Sequence, residues 1–371
     1  MLEAVFVHLG EKLPEHLIAN LHVIKSNLPS LKLHLVLDNS LALRGREIPH
    51  VEIHVLKVSE EIDKILSEMS PDQKFRKGFW RLTLERLFIL EKFHESKKNL
   101  KVLHIESDVF LFPNFPIQKF EALEEVSWLK VSSSRDAAAL VYLPTPAQTS
   151  RLVSRMIEEL KLGKWLDDME MLSTIMKKYP DEYRYLPGLN PSHKELQSSI
   201  FDSSHIAKHL TSNFQVFEGI FDAAHLGIWL TGWDPRNSYG FTRVKDSTRI
   251  SDTTSLLKPE NVNFRFDEFN CLKYVNGSKS TDVFSLHIHS KSMKIFSTEW
   301  AREFERLVNG NFRNRKIVDF STKTLIELLI MNSKNGTLIR YIMNSNRATK
   351  KFASIIRTIL NSQTNRRNER A

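Results

Sequence analysis

Lys101–Phe112 reads KVLHIESDVFLF. A short apolar run (Val102, Leu103, Ile105) ends in Glu106-Ser107-Asp108, and apolar residues resume at once with Val109, Phe110 and Leu111. Alternate residues on a strand share a face, so the spacing predicts that Glu106 and Asp108 point the same way from the strand's end. Two carboxylates leaving a hydrophobic strand are costly unless something cationic neutralises them. Two arrangements meet that need. One is a metal–diphosphate site, because hard divalent cations take oxygen ligands and Mg²⁺ uses one or two carboxylates plus substrate phosphates. The other is a solvated loop, or a carboxylate pair balanced by neighbouring Lys and Arg. E-x-D alone does not choose between them.

The residues upstream predict the sheet that carries this strand. Ala4–Leu9 is a β-type apolar run punctuated by Gly10 and Pro14. Leu17, Leu21, Ile24 and Leu28 then recur at three- and four-residue spacing, which predicts an amphipathic helix stopped near Pro29. A second strand over Leu31–Leu37 completes a βαβ unit and implies a parallel sheet. Ligands in such sheets bind beyond the carboxyl ends of the strands. Leu9-Gly10, Asp38-Asn39 and Glu106-Ser107-Asp108 all fall there, although Asp38-Asn39 also fits an ordinary turn. Val51–Val58 reads as a third strand. Phe75–Phe93 (FRKGFWRLTLERLFILEKF) reads as a long, largely buried helix, on which Arg81 and Glu85 are spaced to pair. Arg86 lies among Leu82, Leu87 and Leu90, so its charge needs a partner: a phosphate, a strand-end carboxylate, or a Glu elsewhere.

Downstream, Pro113-Asn114-Phe115-Pro116 marks a turn, followed by expected strands over Val126–Val131 and Ala137–Leu143. A helix over Gln148–Leu162 and a second one opening at Asp167-Asp168-Met169 come next, then a short strand in Tyr183–Pro187. Asp167 fits a helix cap, and a carboxylate there also fits a sugar hydroxyl. The histidines of the polar stretch 190–213 (His193, His205, His209) do not repeat a zinc spacing. In Phe221–Gly240, small residues interleave with Trp229 and Trp233, a pattern that suits sugar stacking and equally a helix packed tightly on a sheet. Val283–Lys291 (VFSLHIHSK) predicts a strand with His287 and His289 on one face and Lys291 just beyond. Imidazole ligates Mn²⁺-type ions and zinc, and two surface histidines on an edge strand have the same spacing.

The chain has 371 residues, 41% hydrophobic and 26% charged, which suits a globular protein of two or three structural units at most. Its apolar runs fall short of the ~20 residues a membrane-spanning helix needs. The N-terminal stretch MLEAVFVHLGEKLPEHL lacks the features of a signal peptide. A single cysteine, Cys271, excludes an internal disulfide framework and fits a reducing compartment, so a cytosol-facing protein is expected. Net charge is +9, with pI ≈ 9.4, which favours polyanionic partners. Much of the excess lies in the tail, where Arg347, Lys350, Lys351, Arg357, Arg366, Arg367 and Arg370 face one acid, Glu369. Ala348–Leu360 reads as a basic amphipathic helix, suited to an anionic membrane surface or to docking on the core. No recognised nucleic-acid motif accompanies the charge, so nucleic acid is not the expected partner.

Taken in order, the βαβ start, the Arg86 helix, the acidic x-D motif, the Ala-rich strand, the Asp-Met helix, the YLP stretch and the late His/Lys strand resemble the GT-A glycosyltransferases. The resemblance is to the group around glycogenin and the bacterial lipopolysaccharide glycosyltransferases, and it covers about residues 1–300. It implies an α/β fold of the GT-A kind (Rossmann-like, a mostly parallel mixed sheet flanked by helices) with a C-terminal helical extension. It further implies a nucleotide-sugar-binding half at 1–130, an acceptor-binding half at 131–305 and a basic helical extension at 306–371. Glu106 and Asp108 stand at the family's D-x-D, which holds Mn²⁺ or Mg²⁺ against the nucleotide diphosphate. His287, or failing that His289, stands at its late histidine ligand, and Lys291 or Lys294 at its phosphate-binding lysine. Asp168 stands at an acidic residue close to donor sugar and acceptor, while Leu9, Gly10 and Asp38 bracket the nucleoside and Ser107 and Arg86 complete the donor site. The late motif, LHIHSK, lacks the family's glycine and Pro-Trp ending. The implied activity is metal-dependent transfer of a sugar from a nucleotide-diphosphate donor, UDP-sugar foremost, to a glycan, lipid-linked or protein acceptor, leaning to retention because no inverting base stands out. A metal-dependent phosphohydrolase using the same carboxylates and a non-catalytic basic binding protein are the rival readings.

Overall fold

The computed structural model describes residues 1–41, 45, 48–70, 78–97, 99–132, 134–192, 208–231 and 263–309. The chain divides into two compact units, and every described residue belongs to the one formed by Met1–Asp234 and Asp246–Phe312. Trp233, the histidines His193 and His205, and the expected C-terminal helices lie outside the described residues.

A seven-stranded sheet runs through this unit in the order β3-β2-β1-β4-β7-β6-β8. Its strands are β1 (Leu2–His8), β2 (Leu33–Leu37), β3 (Val51–Val55), β4 (Lys101–Ile105), β6 (Val126–Lys130), β7 (Asp136–Leu143) and β8 (Tyr183–Tyr185). β1 pairs in parallel with both β2 and β4, β2 with β3, and β6 with β8, while β7 runs antiparallel to its two neighbours. The expected mixed, mostly parallel α/β sheet is the observed one. Alternation along β1 explains how both faces are covered. Leu2, Ala4 and Phe6 enter one core with Leu17, Leu21 and Ile24 of helix α1 (Glu15–Asn27). Val5 and Val7 enter the other, with Leu84, Leu87, Phe88 and Phe93. That second core is closed by helices α2 (Glu60–Met69), α3 (Phe79–Ser96), α4 (Pro146–Lys161) and α5 (Asp168–Lys178).

A smaller sheet has the order β10-β11-β12-β5, with β9 (Gly219–Phe221) paired in parallel to β12. It comprises β5 (Val109–Leu111), β10 (Asn263–Phe266), β11 (Leu272–Asn276) and β12 (Lys279–His287). Phe110, Phe112, Trp300 and Phe304 pack into its core, the last two from the helix Trp300–Asn309. Lys101–Phe112 is therefore not one strand. β4 ends at Ile105 in the large sheet, residues 106–109 turn with Val109 N–H donating to Glu106 O at 3.1 Å, and β5 begins in the small sheet. The carboxylates of Glu106 and Asp108 converge through this turn and not through strand alternation.

Helix α1 braces the turn. Buried Asn20 donates from Nδ2 to Ser107 O at 3.1 Å and Val109 O at 2.8 Å, and Asn27 donates to Leu111 O at 2.9 Å. The small sheet pairs β5 along one edge with β12, so these amides satisfy carbonyls on its other edge. Asn20→Leu leaves two carbonyls unpaired at about 1–3 kcal/mol each, which urea unfolding would register as a lower midpoint.

His94 of α3 is fully buried, with Nε2 donating to Leu100 O at 2.9 Å and Nδ1 2.8 Å from Thr149 Oγ1. Burial holds it below the ordinary imidazole value of 6.5, against the raising effect of the Leu100 bond. Its contribution is then present above pH 6.5 and is lost as pH falls, because the unfolded chain binds a proton the folded one refuses. The stability difference between wild type and His94→Gln is expected to shrink as unfolding is measured from pH 7.5 down toward about 5.

Candidate active site

Three elements bring the cluster together: the 106–109 turn, the end of β12 and the start of α5. His287 Nε2 lies 3.3 Å from Asp108 Oδ1 and 3.5 Å from Glu106 Oε2. The ligand atoms of Glu106, Asp108 and His287 all fall within 4.8 Å of one another. His287 closes β12, which pairs with β5 through His287↔Val109, so sheet register sets the imidazole beside the turn. His289 lies past the strand's end and packs on His287, ring centroids 4.3 Å apart, outside that three-residue group. Lys291 donates to Asp108 Oδ2 at 2.6 Å from a left-handed backbone position, φ 50°. Lys294 is exposed in the following turn.

Arg86 reaches in from α3 and is shared by two carboxylates. Its guanidinium lies 2.6 Å from Glu106 Oε1 through Nη1 and 3.0 Å from Asp168 Oδ2 through Nη2. Of the three partners its sequence position left open, the carboxylates are the observed ones. Asp168 is the first residue of α5, and Asp167 caps that helix by accepting from Glu170 N–H at 2.9 Å. Arg135 anchors the cap at 2.8 Å from Asp167 Oδ2. At the neighbouring strand ends, Asp38 Oδ2 accepts from Gly10 N–H at 3.0 Å, joining the loops after β1 and β2, with Leu9 buried beside them. Ser107 Oγ lies 3.2 Å from His16 Nε2.

Each charge follows from its neighbours. Burial raises both strand-end carboxyls, but Arg86 outweighs it at Glu106 and Lys291 with His287 outweighs it at Asp108, so both sit below their ordinary values. Burial pushes Asp168 up to about 6 against the opposing pull of Arg86. Burial disfavours the His287 cation, yet Asp108 and Glu106 overcome it and lift the imidazole to about 9. Its Nδ1 lies 2.8 Å from Ala223 O and donates to that carbonyl, which turns Nε2 to the carboxylates. A ring fixed this way by a backbone carbonyl is the usual support of a metal-ligating histidine. A divalent ion fits the group: it would replace the Nε2 proton, and the ion's own charge added to Glu106, Asp108, Asp168, Arg86, His287 and Lys291 then gives a net positive charge, suited to a diphosphate.

Two supports gave no functional signal in the sequence. Asp222 is buried, and its Oδ2 accepts from Gly227 N–H at 2.7 Å and His287 N–H at 3.2 Å, while Oδ1 accepts from Ala224 and Leu226 N–H. It therefore couples helix α6 (His225–Thr231) to the histidine strand. Gly227 is the contact point: a Cβ there would stand 2.0 Å from His287 O. That favours packing over sugar stacking at this glycine. Gly227→Ala is expected to cost about 1–3 kcal/mol by overpacking against the His287 backbone, readable by calorimetry.

No family model matches the chain, and no curated protein matches it. Among solved structures, mouse xyloside xylosyltransferase 1 in its apo form is similar at 11% identity, covering 56% of this chain and 92% of that one, with a TM-score of 0.36. The galactosyltransferase LgtC, solved with donor and acceptor sugar analogues, is similar at 12% identity over 56% of this chain and 83% of that one, with a TM-score of 0.36. The CTP:phosphocholine cytidylyltransferase LicC from Streptococcus pneumoniae is similar at 11% identity over 50% and 90% of the two chains, with a TM-score of 0.29. Likeness at this level assigns no reaction to this chain.

Proposed function

We propose that this chain is a metal-dependent glycosyltransferase of the GT-A type, moving a sugar from a nucleotide-diphosphate donor, UDP-sugar foremost, to a glycan, lipid-linked or protein acceptor. The observation that carries the reading is the convergence of Glu106, Asp108 and His287 from two sheets, with Lys291 bonded to Asp108. Residues 1–130 form the donor half, 131–305 the acceptor half, and the basic segment 306–371 an extension that meets an anionic membrane surface.

Glu106, Asp108 and His287 are the residues that would hold Mn²⁺ or Mg²⁺. Such an ion, when bound, supplies Lewis-acid stabilisation of the charge that develops on a nucleoside-diphosphate leaving group. Lys291 supplies a fixed positive charge beside that leaving group. Arg86 fixes Glu106 and Asp168 relative to one another, and Asp168 orients the sugar on the acceptor side. Leu9, Gly10 and Asp38 bind the nucleoside, and Ser107, held by α1, keeps the turn in shape. No residue of the sequence stands out as an inverting base, so the transfer is proposed to retain configuration.

The test is nucleotide release from UDP-, GDP- and CDP-sugars with Mn²⁺, with and without sugar acceptors. A transferase shows slow hydrolysis of one donor that a suitable acceptor accelerates. Hydrolysis indifferent to every acceptor would instead make the chain a phosphohydrolase.

A further inference from the structure

A second cluster of ligating side chains lies on the large sheet, at the edge formed by β2 and β3. The parallel register pairs His34 with Glu52 and Val36 with His54, so His34, Glu52 and His54 share one face. His34 Nδ1 lies 3.0 Å from His54 Nε2 and 3.6 Å from Glu52 Oε2, and His54 Nε2 lies 3.3 Å from Glu52 Oε1. We propose that His34, Glu52 and His54 form a second metal site, selective for a zinc-class transition ion, separate from the Glu106–Asp108–His287 group.

Two observations carry it. The first is spacing: one ligand atom from each of the three lies within 4.8 Å of the others, and the nearest separations, with Glu52 turning Oε2 to His34 and Oε1 to His54, lie around the edge of about 3.3 Å expected for ligands about 2.05 Å from a tetrahedral ion. The second is tautomer. His34 is fully buried, and its Nε2 is hydrogen-bonded to the carboxylate of buried Glu3 on β1. The Nε2–H donates there, so Nδ1 is the acceptor and takes the His54 Nε2–H at 3.0 Å, the proton that an entering ion would displace. A carboxylate behind the far nitrogen of a ligating imidazole is the arrangement that fixes ligand orientation in zinc proteins. Phe93 packs on both rings at 5.1 Å, which forms an apolar wall. Two imidazoles with one carboxylate suit Zn²⁺, Co²⁺ or Ni²⁺ better than Mg²⁺. Lys32 and Lys97 sit 2.9 Å and 2.8 Å from Glu52, so an entering ion competes with two ammonium groups.

The test uses untagged, metal-stripped full-length Asp108→Asn protein titrated with Co²⁺, followed by visible d–d absorption and then by Zn²⁺ displacement. One equivalent is expected to bind with a tetrahedral-type spectrum and to raise the unfolding midpoint. Adding His54→Ala, or separately Glu52→Gln in case the first variant folds poorly, is expected to weaken Co²⁺ binding at least tenfold and abolish the spectrum. An unchanged Co²⁺ affinity and spectrum in both variants, or no binding by the Asp108→Asn protein, would overturn the proposal. Should the first site hold no metal, Asp108→Asn behaves as wild type and the His54 and Glu52 arms still decide.

Discussion

Asp108→Asn is expected to lower metal-dependent turnover about a thousandfold, the upper end of what losing one preorganised electrostatic group costs. The carboxylate touches both His287 and Lys291, so it serves metal affinity and leaving-group electrostatics together. Asparagine keeps the shape and removes the charge. It also removes the main influence that lifts His287 to about 9. The variant should fold, because a neutral amide in that position still accepts from Lys291. Turnover measured across a Mn²⁺ series separates the two effects: added metal restores part of the rate if affinity alone is lost, and little if the electrostatics are lost too. Wild-type turnover in the variant would remove Asp108 from the site.

Arg86→Met is expected to be the most destabilising single change in the site, by about 3–5 kcal/mol, because breaking a buried ion pair from one side leaves its partners uncompensated. Two partners are stranded here, Glu106 and Asp168, with side chains only 17% and 7% exposed. Replacing the whole group removes the penalty at its source, so Arg86→Met/Glu106→Gln/Asp168→Asn should be more stable than Arg86→Met alone. Arg86→Lys should recover only part of the loss, since one ammonium lacks the planar fork that serves two carboxylates at once. Urea unfolding of the four proteins orders them. Arg86→Met within 1 kcal/mol of wild type would show that the bridge contributes little, a threshold set by the value of an ordinary surface pair.

The first βαβ unit was legible because its signals are local. Leu17, Leu21 and Ile24 recur at helical spacing, and Leu33–Leu37, apolar except for His34, is buried throughout because both of its faces are covered. The E-S-D stretch misled for a local reason too. Apolar residues resume immediately after Asp108, which reads as one strand, whereas Val109 and Phe110 belong to a different sheet from Leu103 and Ile105. Helix α2 went unread although Ser59 caps it, accepting from Ile62 N–H, and Ile62 with Leu66 forms its buried stripe. What sequence could not supply was pairing across distance. Arg86 meets Asp168 82 positions away, and Lys291 meets Asp108 183 positions away. Asn20 and Asp222 matter only through backbone groups that the fold brings to them, and no residue spacing encodes such partners. His287 was legible as an imidazole on the late strand, but the spacing extended that strand through Lys291 with His289 on the same face, whereas β12 stops at His287 and leaves His289 beyond it.

The most direct test of the central claim is thermal unfolding of wild type and Asp108→Asn with a panel of nucleoside diphosphates, each with and without Mn²⁺. A nucleotide at a hundred times its Kd stabilises the folded protein by about 2.7 kcal/mol, well within reach of the method. The account predicts that one nucleotide raises the wild-type midpoint only when Mn²⁺ is present, and that Asp108→Asn shows no such rise. Equal shifts in both proteins, or no shift with any nucleotide, would contradict it.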